Sequence, residues 1–290
     1  MSGTHHVFLT RFNLPSPGVE SLIRSDDAWL RERVRLFESY TLPAVLAQTR
    51  SDHTWLIYLD PLSPEWLKAR MHLLEQSHVA TPRYAVSDHP ADVARDIDDI
   101  LDSNVDRVIT SNLDNDDGLA RDFVERLYAV ATPREREAVY FARGLVRCDE
   151  NLYLHTDRRN AFVAVAEPRE AMVTCWVDWH NRVGRHMPVH MVEGAPAWLQ
   201  VVHGRNVSNR VRGRLVSPGA YRDLFGPGTA GTREPSSPQR VVSRLIAAPA
   251  RAVRDTGRQA AARALLRAGG KDAVERWKLR LHGRSRRREA

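Results

Sequence analysis

Three carboxylates, Asp114, Asp116 and Asp117, follow the β-branched run Val108-Ile109-Thr110 with only Ser111-Asn112-Leu113 between, and precede Gly118. The run reads as a buried strand that stops abruptly in charge. Like charges this close repel unless a cation or hydrogen-bond donors lie between them. Side chains alternate along extended backbone, so Asp114 and Asp116 are expected to project the same way. Oxygen ligands so placed suit a hard divalent cation, Mg²⁺ or Mn²⁺, which also holds the phosphates of a substrate. The same residues equally suit a solvated turn, with Asp117 capping a helix that begins near Leu119. An EF-hand is excluded, because aligning Gly118 with its invariant glycine puts Leu113 and Val124 at ligand positions.

The elements that must position these carboxylates alternate in type. His6–Phe12, Thr54–Pro61, Arg83–Asp88 and the stretch from Arg107 read as strands. Between and after them, Trp29–Ser39, Thr41–Gln48, Ser63–Gln76, Pro90–Ser103 and Leu119–Ala131 read as helical, with Ser63 as a cap and Pro64 at the first helical position. This alternation predicts an α/β fold, a mostly parallel sheet with helices on both faces. Ligands of such sheets bind outside the carboxyl ends of the strands, the edge where Arg11, Asp60, Asp88 and Asp114 are expected to gather. The first strand is not followed by Gly-x-Gly-x-x-Gly, and no Walker motif occurs, which disfavours a classical dinucleotide site and a P-loop NTPase. From Ala138 the pattern changes to an antiparallel hairpin region: Ala138–Arg147, Asn151–His155, Phe162–Glu167, the short Val173–Val177, and finally Trp198–Asn206.

With 290 residues at 42% hydrophobic, the chain can bury one sizeable core. Its net charge of +7 is a property of the tail: residues 233–290 hold 16 Lys/Arg and 5 Asp/Glu, leaving 27 and 31 for residues 1–232. A catalytic domain built to bind nucleic acid is therefore disfavoured. Two cysteines, Cys148 and Cys175, make no disulfide framework and are expected in the core, so a cytoplasmic location is expected. No secretion signal is found, and no apolar run is long enough for a transmembrane helix. Gly- and Pro-rich composition predicts a linker over 217–239 between a domain at 1–216 and an Arg-rich, helical or partly disordered tail at 240–290, kinked at Pro249. A basic amphipathic segment can lie on anionic lipid, so peripheral contact with the inner face of the membrane is an expectation.

Taken together, Phe8-Leu9-Thr10-Arg11-Phe12-Asn13, Leu36-Phe37-Glu38-Ser39-Tyr40-Thr41-Leu42-Pro43, Trp55-Leu56-Ile57-Tyr58-Leu59-Asp60 and Leu113-Asp114-Asn115-Asp116-Asp117-Gly118 carry a likeness. In their order and out to about Asn209, the sequence resembles the rhamnosyltransferase family of bacterial polysaccharide glycosyltransferases, whose fold is GT-A-like. The resemblance implies that Asp114-Asn115-Asp116 is the Asp-x-Asp motif, whose divalent metal bridges the diphosphate of a nucleotide-sugar, with His203 completing the metal site. It implies that Arg11 and Asp60 hold the nucleoside, and Asp88 is placed to do the same. Inverting transfer needs a general base, for which Asp178, His180 and Glu193 are candidates. The implied acceptor is a polysaccharide or lipid-linked glycan, and rhamnose as donor sugar follows from the family label. A zinc site on His180, His186 and His190 is disfavoured, since Pro188 interrupts any shared helix. Two other classes also use these features: a metal-dependent phosphohydrolase, through the aspartates, and a nucleic-acid-binding protein, through the tail.

Overall fold

In the computed structural model, residues 3–15, 26–131, 135–203, 211–247 and 249 are described. The strands among them are β1 (Gly3–Arg11), β2 (His53–Leu59), β3 (Thr81–Tyr84), β4 (Val105–Asn112), β5 (Gly118–Leu119) and β6 (Glu137–Phe141). They continue with β7 (Arg143–Cys148), β8 (Asn151–Thr156), β9 (Ala164–Pro168), β10 (Val189–Val192), β11 (Trp198–Val202) and β12 (Arg214–Leu215). The chain divides into two compact units at Pro235/Ser236.

Alternation within the first strands decides the architecture of the larger unit. Phe8 packs into one buried cluster, while its neighbours Val7 and Leu9 pack into another. The split recurs at Trp55, Ile57 and Leu59 against Leu56 and Tyr58, and at Ile109 against Val108. Strands apolar on both faces need cover on both, the condition met by a parallel sheet between helices. The resulting seven-stranded sheet has the order β10-β6-β9-β4-β1-β2-β3. β3, β2, β1 and β4 pair in parallel, β9 runs antiparallel to both β4 and β6, and β10 pairs in parallel with β6.

Helices α1 (Asp27–Leu36) and α2 (Leu42–Leu46) join through a π-helical turn, α3 (Glu65–Gln76) and α4 (Pro90–Asp98) follow β2 and β3, and α5 (Phe123–Val130) follows β5. Asp26 caps α1, its Oδ1 accepting from Trp29 N at 2.8 Å.

A second sheet, β12-β8-β7-β11-β5, has its own small core of Leu145, Leu152, Leu199 and Val201 with Phe225. Here Gly144 is required by close approach: a Cβ at that position would meet the Trp198 ring at 1.9 Å. Trp198 stacks on Phe162 at 5.2 Å and donates its Nε1 to Phe141 O, so it cannot give way.

Several expected elements are corrected. Ala138–Arg147 is not one strand: it breaks at Ala142, sending β6 to the first sheet and β7 to the second. The third strand stops at Tyr84, leaving Asp88 in the loop beyond. Val173–Val177 is not a strand, because the buried carboxylate of Glu167 accepts the N–H groups of Val173 and Thr174 (2.9 and 2.8 Å) and holds Thr174 at φ 66°. Residues 217–235, expected within a linker, are folded. Phe225 is buried in the second core, and Arg147 Nη1 donates to Gly228 O and Ala230 O at 2.9 and 2.7 Å. Their glycines and prolines make tight turns in place of an extended spacer.

In the smaller unit, a short helix at Ser237–Val242 starts with a capping box between Ser236 and Gln239. The basic stretch 250–290 lies outside the described residues. Among the described residues no helix is long and apolar enough to cross a membrane.

Candidate functional site

The acidic residues sit where the chain crosses from one sheet to the other. Leu113 N donates to Leu9 O at 3.0 Å, extending the β4–β1 pairing by one residue. Thr10 Oγ1 donates to Leu113 O (2.7 Å) while accepting from Trp55 Nε1 (2.9 Å), and Asn115 Nδ2 donates to Phe12 O (2.7 Å). These buried bonds bend the backbone into a turn over Asp114–Asp117, after which β5 pairs with β11. Strand alternation therefore does not govern the carboxylates. Asp114 is exposed, whereas Asp116 and Asp117 are buried. The helix expected from Leu119 begins only at Phe123, because Gly118 and Leu119 are taken by β5 and Asp117 serves a strand instead of a cap.

The three carboxylates differ in electrostatics. Asp116 Oδ2 accepts from His203 Nε2 at 3.0 Å and from Arg33 Nη1, with only 7% of its side chain exposed. Burial alone would raise its pKa, but the His203 hydrogen bond and the Arg33 charge outweigh it and hold the group below the ordinary range. Asp114 opens to solvent on one side but is walled by protein on the others. Lost hydration, with the charge of Asp116, holds its pKa above the ordinary value, although Asn112 Nδ2 donates to it at 3.3 Å. Asp117 is fully buried: Oδ1 accepts from Val201 N at 2.8 Å and Oδ2 has no partner among the described residues. Burial first, then the charges of Asp116 and Asp114, push its pKa well up.

Beside the turn, Arg11 lies 3.8 Å over the Trp176 ring and donates from Nε to Asp88 Oδ2 at 2.6 Å. Trp176 Nε1 donates to Asn112 Oδ1 (2.8 Å), and Asn112 in turn bonds Asp114, so the Arg11 platform and the acidic turn share a scaffold. Asp88 thus reaches the site from its loop. Asp60 is engaged locally: its Oδ1 accepts from Leu62 N at 2.8 Å and closes its own turn.

The three general-base candidates have different surroundings. Asp178 accepts from His186 Nε2 at 3.1 Å and from Trp179 N at 2.7 Å, which draw its pKa down, and Glu193 pairs with Arg158 at 2.5 Å. Of the three, His180 feels the charge of Asp114, and that of Asp157; burial nonetheless lowers its pKa below the ordinary value. The Tyr140 hydroxyl donates to its carbonyl and Cys175 N donates to Thr110 Oγ1 (2.8 Å), which anchors the loop at both ends. Trp179 projects from that loop with 72% of its surface exposed.

Among the described residues no three or more His, Cys, Asp or Glu groups form a ready-made metal cage. His186 is committed to Asp178 and His190 faces Glu137 at 3.6 Å, so His180, His186 and His190 do not converge. Asp116 and His203 are bonded to each other, and Asp114 feels the charge of Asp116.

Sequence reasoning missed Arg33, Asn112, Trp176 and the strand-holding role of Asp117. Arg33 did leave a signal, a charge one turn from Trp29 on the edge of the apolar face of α1.

A mostly parallel sheet with an acidic turn at its carboxyl edge, in a chain matched over most of its length by one family of sugar transferases, places the protein among glycosyltransferases. The chain belongs to the family described as "Putative rhamnosyl transferase", whose profile matches residues 5–215. Among solved structures it is similar to a "putative nucleotide-diphospho-sugar transferase" from Desulfovibrio desulfuricans G20, with 11% identity and a TM-score of 0.37 over 70% of this chain and 83% of that one. It is also similar to S. aureus TarS 1–349, with 5% identity and a TM-score of 0.41 over 68% of this chain and 60% of that one. No functionally curated protein matches the sequence.

Proposed function

We propose that the protein moves a sugar, rhamnose by its family, from a nucleoside-diphosphate donor to a hydroxyl of a polysaccharide or lipid-linked glycan, using a divalent cation at Asp114 and Asp116. The observation that carries this is the acidic turn itself, to which His203 is brought from 87 residues further along the chain. The donor set fits Mg²⁺ or Mn²⁺: two carboxylates and an imidazole supply hard oxygen and borderline nitrogen. Burial and the charge of Asp116 raise the pKa of Asp114, so a cation beside it would relieve the cost of its charge. A protein cage is not required, since Mg²⁺ is commonly held by one or two carboxylates and completed by water and substrate phosphates. When bound, the cation neutralises charge that builds on the leaving diphosphate as the C–O bond breaks.

The chain's own residues do the rest. Arg11, oriented by Trp176 and Asp88, presents its guanidinium to the nucleotide. His203 orients Asp116; acting as a ligand instead would replace its hydrogen bond by a metal bond. In inverting transfer the acceptor hydroxyl must lose a proton, and His180, neutral near pH 7, takes it. The exposed face of Trp179 stacks on the acceptor sugar. Asp178 and Glu193 are left as ion-pair partners.

Calorimetric titration of UDP, GDP and dTDP, with and without Mn²⁺, against wild type and Asp116→Ala tests the proposal. One nucleotide is expected to bind with metal and to lose that binding in the variant. If none binds under either condition, the nucleotide-sugar assignment is wrong. Contact of 250–290 with anionic lipid is tested by co-sedimentation with phosphatidylglycerol vesicles, which should weaken as salt rises.

A further inference from the structure

Arg33 reaches the acidic turn from α1, 83 residues earlier in the chain than Asp116. Its Nη1 donates to Asp116 Oδ2 and, at 3.3 Å, to Asn115 Oδ1, while its guanidinium lies 4.9 Å from the Trp29 ring centre. With 14% of its side chain exposed, it forms a largely buried ion pair. A turn that gathers three carboxylates, two of them buried, needs positive charge nearby to stay assembled, and Arg33 supplies it.

That same carboxylate is where the proposed metal must bind. A guanidinium and a divalent cation drawn to one carboxylate repel each other, so each weakens the hold of the other. A nucleotide relieves the conflict, because its diphosphate offers the planar guanidinium two oxygens that accept its parallel N–H groups. Resting on the metal-dependent reading above, we propose that Arg33 is the resident counter-cation of Asp116. In the free protein it holds the turn together and keeps the metal weakly bound; when the nucleotide arrives, it yields Asp116 to the metal and turns to the diphosphate. Metal and nucleotide binding are then coupled through this one side chain.

The test uses the full chain as wild type and Arg33→Gln, with folding checked by circular dichroism. Mn²⁺ binding is measured by calorimetry, first with the metal alone and then with whichever of UDP, GDP or dTDP binds best. With Mn²⁺ alone, Arg33→Gln is expected to bind roughly tenfold or more tightly than wild type, since the competing charge is gone. With nucleotide present, the gain in Mn²⁺ affinity should be large in wild type and small in the variant. Equal Mn²⁺ affinity of wild type and Arg33→Gln overturns the proposal and leaves the metal-dependent transferase standing. Failure of both proteins to bind Mn²⁺, with or without any nucleotide, overturns both. Should Arg33→Gln not fold, the wild type still decides: a Mn²⁺ affinity unchanged by nucleotide rules the exchange out.

Discussion

Val201 N donates to Asp117 Oδ1 at 2.8 Å, and this bond fastens the strand that leads into His203 to the turn that carries Asp116. Asp117 therefore acts through geometry, and its charge is a liability. Its folded pKa lies above the unfolded value, so the folded state binds the extra proton, and stability is lost as pH rises from the usual carboxylate range through the raised pKa. Asp117→Asn keeps an acceptor for Val201 and carries no charge. It should be more stable than wild type at pH 7, by on the order of 1 kcal/mol, with the gain shrinking toward pH 4. Asp117→Ala leaves the Val201 N–H unpaired and should lose about 1–3 kcal/mol. Thermal melts at pH 4 and 7 decide, and an Asn variant less stable than wild type at pH 7 would refute the assignment.

At the opposite end of the strands, His5, His6 and His53 cluster around β1 and β2. His6 is fully buried, with Nε2 bonded to Ser111 Oγ at 2.9 Å and Nδ1 without a partner among the described residues, so a second N–H would be stranded. Burial lowers the pKa of all three, and neighbouring positive groups lower that of His6 further. A histidine whose folded pKa lies below its unfolded value makes no difference above about pH 6.5 and destabilises the fold as pH falls below it. Each such proton removes at most about 1.4 kcal/mol per pH unit. The melting temperature should therefore fall steeply between pH 6.5 and 5, and His6→Gln should flatten that slope whatever it does to stability at pH 7. An unchanged slope would mean the acid sensitivity lies elsewhere.

How much of this was legible depended on whether the cause was local. Val7, Phe8 and Leu9 announce a strand covered on both faces by composition alone, and the sheet follows from a few such runs. Asp114, Asp116 and Asp117 are chemically identical in the sequence, and only burial and the partners brought by α1 and β11 make one exposed, one ion-paired and one strand-holding. Arg33 stands 83 residues from its partner, beyond the reach of any local pattern. The break at Ala142 was hidden because both halves of Ala138–Arg147 suit a strand equally well, and the switch of sheet is decided by tertiary pairing. Glycine and proline in 217–235 serve tight turns as readily as linkers; the burial of Phe225 among Leu145 and Leu199 selects the turns.

His180 as general base has a pH signature. The base must be deprotonated, and its pKa lies below the ordinary histidine value because burial disfavours the charged form. The acid limb of kcat/KM should have its midpoint below 6.5, with a plateau through neutral pH. Removing a positioned base typically lowers the rate by about 10²–10⁴-fold, so His180→Gln should lose that much while still binding nucleotide. Asp178→Asn and Glu193→Gln should fall far less. A His180→Gln enzyme that keeps the wild-type acid limb would show that another group takes the proton.

Trp179 separates acceptor binding from donor binding. A tryptophan 72% exposed on a loop whose backbone is pinned by Glu167, Thr110 and Tyr140 is apolar surface presented to water, which the fold itself does not need. A sugar ring presents C–H groups on one face, and an exposed indole, with few rotatable bonds, can cover them at low entropic cost. Trp179→Ala should leave the melting temperature and nucleotide affinity unchanged within error while raising the acceptor KM by roughly tenfold, the equivalent of about 1.4 kcal/mol. Trp179→Phe, which keeps a flat ring, should recover most of the loss. Weakened nucleotide binding in Trp179→Ala would instead put the residue on the donor side, and an unchanged acceptor KM would remove it from the site.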